Sequence, residues 1–189
     1  MKLKIGTMLA ALAFSFAAQA AAPEDTLVIK LKDGDVTIAL RPDLAPKHVA
    51  RIKALAKKGF YDGVVFHRVI DGFMAQTGDG QYGDSDGNFD LNAAGTGGSD
   101  LPNIAAEFSK EPFVRGTIGM ARSQDPDSAN SQFFIMFAPG DFLNGQYTVV
   151  GQVETGMELV DKIKKGDQNN QGSVADPDKM ISVKTAESK

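Results

Sequence analysis

FHRVIDGFMAQTGD, residues 66–79, is two extended runs meeting at one break. Residues 64–70 are β-branched or aromatic at most positions, Asp71-Gly72 interrupts them, and 73–77 resumes an extended pattern. Two strands joined at a tight corner are expected. Side chains alternate along a strand, so Met74 and Gln76 should share one face, a thioether beside an amide. Arg68 stands in the first run between His67 and Val69. A guanidinium in that setting needs either an internal carboxylate or a ligand, and spacing alone leaves both open.

The 189-residue chain around this segment is long enough for one domain with a sizeable core. Residues 1–20 read as an export signal. Lys2 and Lys4 precede an apolar run over 5–18, and Ala18-Gln19-Ala20 has the small residues a signal peptidase takes. Cleavage is expected after Ala20, with Ala22 as the alternative, leaving 21–189 as a single domain. The apolar run falls short of the roughly 20 residues that span a bilayer. There is no cysteine, so the exported chain has no disulfide framework and must stand on its core. Lys and Arg number 20 against 24 Asp and Glu, a net charge of −4 that becomes more negative once Lys2 and Lys4 are removed. Such a chain gains little from phosphate backbones or anionic lipid, which argues against nucleic acid and stable membrane association. The periplasm is the expected location, with secretion as the alternative.

Residues 26–31 and 36–41 favour extended chain, with Asp33-Gly34 as a hairpin signal between them. A helix is expected from Pro46 to just before Gly59, with Val49, Ile52, Leu55 and Ala56 forming its apolar stripe. His48 falls on or near the exposed side of that helix, without a second ligand at metal-binding spacing, and reads as a surface residue. Further strands are expected over 116–122, 131–137, 147–153 and 180–185, and a second helix over 157–165. In 131–137, alternation sets Gln132, Phe134 and Met136 against Phe133, Ile135 and Phe137. Both faces are largely apolar, so one belongs to a closed core and the other needs a cover or a ligand. About eight short strands with two helices not interleaved among them argue for an antiparallel barrel or sandwich, with a helix over each open end. Closing the sheet would also remove its edges.

Residues 78–98 are rich in Gly, Asp and Asn and read as a long loop. GDGQYG at 78–83 matches a dinucleotide-binding pattern, but no helix follows and Asp84, Asp86 and Asp90 would repel a pyrophosphate. Asp84, Asp86, Asn88 and Asp90 alternate as Ca²⁺ ligands can, yet the glycine and distal glutamate of a helix-loop-helix site are missing. A solvated acidic loop is the expectation, with a calcium-dependent adhesion or carbohydrate-binding barrel as a rival.

Covalent and acid-base kits are absent: no cysteine nucleophile, no serine in a nucleophile elbow, no carboxylate within an apolar strand, and no metal set from His48 and His67. What remains is Arg68, Gln76 and Gln132 with the apolar Phe73, Met74, Phe134, Phe142 and Leu143. That inventory suits rotation about an X-Pro bond, whose barrier of roughly 18 to 20 kcal/mol comes from amide resonance. The planar amide is the more polar form, so an apolar site weakens water's preference for it. As the bond twists, the prolyl nitrogen regains a lone pair, and a fixed donor such as Arg68 can bond to it only then.

The motifs FHRVIDGFMAQTGD at 66–79, GTIGMAR at 116–122, SQFFI at 131–135 and FLNGQYTVVG at 142–151 occur in family order and resemble a cyclophilin, a peptidyl-prolyl cis-trans isomerase. The resemblance covers 26–185. It implies a closed eight-stranded antiparallel β-barrel capped by two helices, with an external substrate groove and no cofactor. Arg68 resembles the catalytic arginine. Phe73, Met74, Phe134 and Leu143 resemble the walls of the proline site, and Gln76 and Gln132 the groups that fix Arg68 and the substrate backbone. Ala121 and Arg122 match the strand edge that pairs with the peptide, and Gly97 the glycine-rich rim. His67 lies in the motif without a transferable role and reads as a satisfied structural histidine.

Phe142 stands where eukaryotic members often have Trp, Tyr147 where many have His, and Arg122 where Asn is frequent. Loss of the indole donor implies weak binding of cyclosporin-type inhibitors with catalysis largely kept. The implied partners are proline-containing peptides and unfolded exported proteins, handled by a monomer. A proline-peptide-binding holdase without turnover is the remaining alternative.

Overall fold

The computed structural model describes residues 22–186, so the export signal expected over 1–20 lies outside the described residues. β1 (Thr26–Leu31) and β2 (Gly34–Leu40) form the hairpin expected around Asp33-Gly34, paired from Thr26↔Ala39 to Leu31↔Gly34. α1 (Pro46–Lys57) follows, and Gly59 at φ 70° turns the chain away from it. Then come β3 (Arg68–Ile70), β4 (Met74–Thr77), β5 (Thr117–Met120), β6 (Phe133–Met136), β7 (Val149–Thr155), a single-turn α2 (Met157–Val160) and β8 (Ser182–Thr185).

These strands make one antiparallel sheet in the order β3-β4-β6-β5-β7-β2-β1-β8. The expected closure does not occur: the sheet curls as an open half-barrel with β3 and β8 at its edges. Irregular backbone stands where a closing ladder would run. Val69 N donates to Gly172 O, Gly166 N to Val69 O and Val174 N to His67 O, while Phe66 N donates to Asp178 O and Met180 N to Val64 O. Segments 166–174 and 178–180 thus satisfy the edge polar groups that an eighth, closing pairing would have taken. The same bonds explain why only the last three residues of the expected 64–70 strand are regular. Val64 and Val65 make single bridges to Asp84 and Lys179 instead.

β5 and β6 are buried at every position, and their two faces serve different ends. Phe133, Ile135 and Phe137 join Leu27, Ile38, Ile52, Leu55 and Tyr61 in the interior core. Phe134 and Met136 turn the other way and meet Met74, Phe113, Leu143 and Val149 in a smaller outer cluster. Val49, Ile52, Leu55 and Ala56 of α1 are buried as their spacing implies.

His48 is not on the surface. It is 0% exposed, with Nδ1 2.7 Å from Glu107 Oε2, and the same carboxylate accepts from Lys47 N and His48 N. Glu107 is therefore a cap for the first turn of α1 supplied from 59 residues along the chain, which helical spacing cannot reveal. The second helix is also shorter than expected. Arg115 pairs with Asp161, and Lys164 N donates to Asp178 Oδ2, redirecting the chain after one turn.

His67 is 4% exposed, and neither ring nitrogen has a hydrogen-bond partner among the described residues, so it is not the satisfied histidine expected. Burial pushes its pKa down to about 4, with Asp79 opposing and Arg68 reinforcing that shift. A depressed imidazole lets the unfolded chain take the proton first. Its contribution is complete above the unfolded value of about 6.5 and is lost as pH falls through the folded value. Burial also pushes the Glu107 carboxyl up, but the His48 ring and the two amides outweigh it and hold the group low. Its own contribution fades only below the ordinary glutamate value of about 4.3. Urea unfolding between pH 7 and pH 4 should therefore show a loss of roughly 3 kcal/mol attributable to His67. His67→Leu should flatten that part of the curve; an unchanged slope in the variant would refute the assignment.

Candidate active site

The outer face gains its chemistry from register. Arg68 pairs across to Gln76, Gln76 to Phe134, Phe134 to Gly119 and Gly119 to Val149, so one transverse row crosses β3, β4, β6, β5 and β7. Met74 lies beside that row, on the face it shares with Gln76. The row is charged at its β3 end and apolar in its middle. Glycine at 119 is required there: a Cβ would sit 2.4 Å from Phe134 Cζ and 2.6 Å from Phe113 Cε1. Phe134 can lie flat over β5 only because nothing projects from that position.

A recess of about 280 Å³ opens over the row, lined by Arg68, Phe73, Met74, Gln76, Ala121, Arg122, Phe134, Phe142, Leu143 and Tyr147. A second of about 410 Å³ adjoins it at Gln76, Ala121 and Arg122 and extends to Gly97 and Gln132. All twelve residues expected to form the site thus come together around two joined hollows. Phe142 is 71% exposed and leans on Phe73 with ring centroids 5.5 Å apart, making a greasy lip. Tyr147 stands edge-on to Phe134 at 5.7 Å.

Arg68 has no carboxylate within ion-pair distance among the described residues. Its acceptors are neutral: Nε donates to Gln171 O at 3.0 Å and Nη1 to Gln76 Oε1 at 3.1 Å. Gln76 Nε2 then donates to Gln132 Oε1 at 2.9 Å, and Gln132 Nε2 to Gly95 O and Gly97 O. This amide relay fixes the guanidinium on the rim of an apolar hollow without cancelling its charge. Burial lowers the Arg68 pKa from the usual arginine value, with Tyr147 acting against the shift; the group remains a cation.

The relay ends on a loop held by Asp79, a residue whose part was not evident from sequence. Asp79 is 0% exposed; Oδ1 accepts from Gln81 N and Tyr82 N, and Oδ2 from Gly95 N and Gly97 N. One carboxylate therefore clasps both ends of the 80–97 loop. Its only sequence signal was an acid placed directly after a strand and a glycine, within a segment that otherwise read as solvated. The other carboxylates of that loop are engaged singly: Asp84 caps Asp86 N, Asp86 pairs with Lys179, and Asp90 caps Asn92 N.

Arg122 lines the recess but spends its side chain on the protein. Nη1 donates to Ser123 O, Nη2 to Gln146 O, and Cζ lies 4.4 Å above the Tyr147 ring. The guanidinium is a strut between two loops and backs the Tyr147 wall. Ala121 N donates to Gln132 O, whereas Arg122 N makes no hydrogen bond within the described chain. The backbone is thus the part of Arg122 available to an extended peptide.

Residues 26–185 match the family described as cyclophilin type peptidyl-prolyl cis-trans isomerase/CLD. A probable peptidyl-prolyl cis-trans isomerase of Brucella suis is 67% identical over 164 residues, covering 87% of this chain and 84% of that one. Peptidyl-prolyl cis-trans isomerase B of Escherichia coli is 36% identical over 149 residues, covering 69% and 79%. A crystal structure of a Cryptosporidium parvum cyclophilin type isomerase, determined in the presence of the dipeptide Ala-Pro, superposes with a TM-score of 0.71 at 25% identity, covering 85% of this chain and 98% of that one. With a matched span that takes in every strand of the sheet and all of the site described above, the chain belongs to the cyclophilin-type peptidyl-prolyl cis-trans isomerases.

Proposed function

We propose that Arg68 accelerates X-Pro rotation by donating a hydrogen bond to the prolyl nitrogen as the amide twists. The observation that carries this reading is a guanidinium held by neutral acceptors beside an apolar recess. A planar prolyl nitrogen has its lone pair in resonance and accepts poorly. The twisted nitrogen accepts well, so the donor favours the transition state over either ground state. Phe73, Met74, Phe134 and Leu143 exclude water from the ring, which weakens solvation of the polar planar amide. A donor aimed in this way is worth roughly 3 to 4 kcal/mol, or 10² to 10³ in rate. No bond is made or broken, and no cofactor enters.

Substrate binding divides between the two hollows in this reading. The first takes the proline ring; the second, with Gly97, Gln132 and the Arg122 backbone, takes the flanking chain. The substrates are proline-containing peptides and unfolded exported proteins, met by a monomer. Export rests on the N-terminal pattern of Lys2, Lys4 and the apolar run that follows. In the oxidising periplasm a chain without cysteine has no thiol to mispair.

Exchange NMR on a short X-Pro peptide tests both arginines. Arg68→Ala should slow isomerisation by about 10² while leaving peptide affinity nearly intact. An undiminished rate would transfer the role to the apolar walls, whereas unchanged rescue of client folding by Arg68→Ala despite a lost rate would favour a holdase. Arg122→Ala should instead raise KM roughly three- to tenfold, with kcat within about twofold, by loosening Tyr147. Arg122→Lys should not rescue KM, because a single ammonium lacks the planar fork that reaches two loops. Equal loss in kcat and kcat/KM would show that Arg122 acts in the transition state and not as a strut.

A further inference from the structure

Beside the amide relay lies a third hollow, of about 480 Å³, that the isomerisation described above does not use. Arg68 and Gln76 line both this hollow and the proline recess, His67 forms part of its lining, and Asn92, Asn170 and Ser173 stand around it. No Asp or Glu lines it, although the chain as a whole is acidic, Asp90 directly precedes Leu91 of the lining and Asp167 lies three residues before Asn170. The side chains of Asn92 and Asn170 are exposed and make no hydrogen bonds within the described chain, leaving two amide donors uncommitted. His67 is buried with both ring nitrogens unpartnered. The hollow reaches toward that ring because residue 95 has no side chain: a Cβ on Gly95, at φ 97°, would sit 3.1 Å from His67 Nε2.

A cation without a counter-ion, two free amide donors and an unpaired imidazole, with no acid in the lining and Asp79 behind it committed to four backbone amides, make an environment for an anion. Among the groups a peptide substrate can offer, a side-chain carboxylate fits these donors, and the guanidinium face shared with the proline recess puts it within reach of a residue close to the proline. We propose that this third hollow is a subsite for the carboxylate of an Asp or Glu flanking the X-Pro bond, so that the enzyme prefers clients with an acid near the proline. The proposal rests on the reading of the first hollow as the proline site. Asn92 and Asn170 are its specificity residues; Arg68 contributes its field there while keeping its hydrogen bonds to Gln76 and Gln171. Because both asparagines are exposed, the preference is screened by salt.

The test is a set of X-Pro peptides carrying Asp, Asn or Ala at each of the two positions on either side of the proline, assayed by exchange NMR and by direct binding. At one position Asp should exceed Asn in kcat/KM by about five- to tenfold, through KM, with the gap shrinking at high salt. Asn170→Asp adds a negative charge at the exposed rim. It should abolish or reverse that preference while leaving the Ala peptide unaffected. The His67 ring resonances should shift on binding the Asp peptide and not the Ala peptide, and free acetate should reproduce the shift only at far higher concentration. Preference for Asp at no position, or a preference indifferent to Asn170→Asp, would overturn the subsite. Failure of the Ala peptide to turn over at all would instead count against the isomerase reading, and the binding isotherms would then decide the subsite alone.

Discussion

A half-buried cation kept without a counter-ion is the constraint from which the site is built. Removing a charge from water is costly, and a protein ordinarily offsets the cost with a carboxylate. Here the offset comes from dipoles: the Gln171 carbonyl, the Gln76 amide, and through it Gln132 and the carbonyls of Gly95 and Gly97. Each amide accepts on one side and donates on the other, so the chain is satisfied along its length and rigid for that reason. The charge is displaced to Asp79, which never meets Arg68 but clasps the loop whose carbonyls end the relay. An acid at the relay's far end orders the arginine without neutralising it.

The sheet supplies the other half of the design. A curled sheet with apolar residues on both faces can devote one face to the core and still present grease to solvent on the other. Strand register then decides what stands beside that grease. Arg68, Gln76 and Phe134 come from three strands but fall in one row, so cation, amide and aromatic floor are held by backbone ladders and not by loops. The open edge at β3 matters as well. Because residues 166–174 cover β3 in place of a further strand, the Gln171 carbonyl is free to meet Arg68 Nε. A closed barrel would have spent that edge on a ladder.

Much of this was legible in the residues, and the parts that were not have a common cause. Alternation along 73–77 and 131–137 correctly paired Met74 with Gln76 and separated Phe134 from Phe133, since period 2 is a local property. The twelve residues named from the family motifs all lie around the two hollows, although Gly95, Thr96, Ser123, Ser128 and Asn130, which also line the second, were not among them. Contacts made across the fold were lost. His48 read as exposed because its partner Glu107 lies 59 residues away, Gln171 contributes only a backbone carbonyl, and Asp79 was hidden in a segment whose composition suggested solvent. The choice between a structural and a functional Arg68 could not be made by spacing. It needed the finding that no acid among the described residues reaches it.

The claim that the missing counter-ion is functional can be tested at one position. Gln76→Glu and Gln76→Leu both remove the donor to Gln132, but only glutamate sets a negative charge against Arg68 Nη1. Exchange NMR on a neutral X-Pro peptide, at matched occupancy, should show Gln76→Glu turning over more slowly than Gln76→Leu, because the paired guanidinium is a weaker donor to the twisting nitrogen. Equal rates, or a faster Gln76→Glu, would contradict the account.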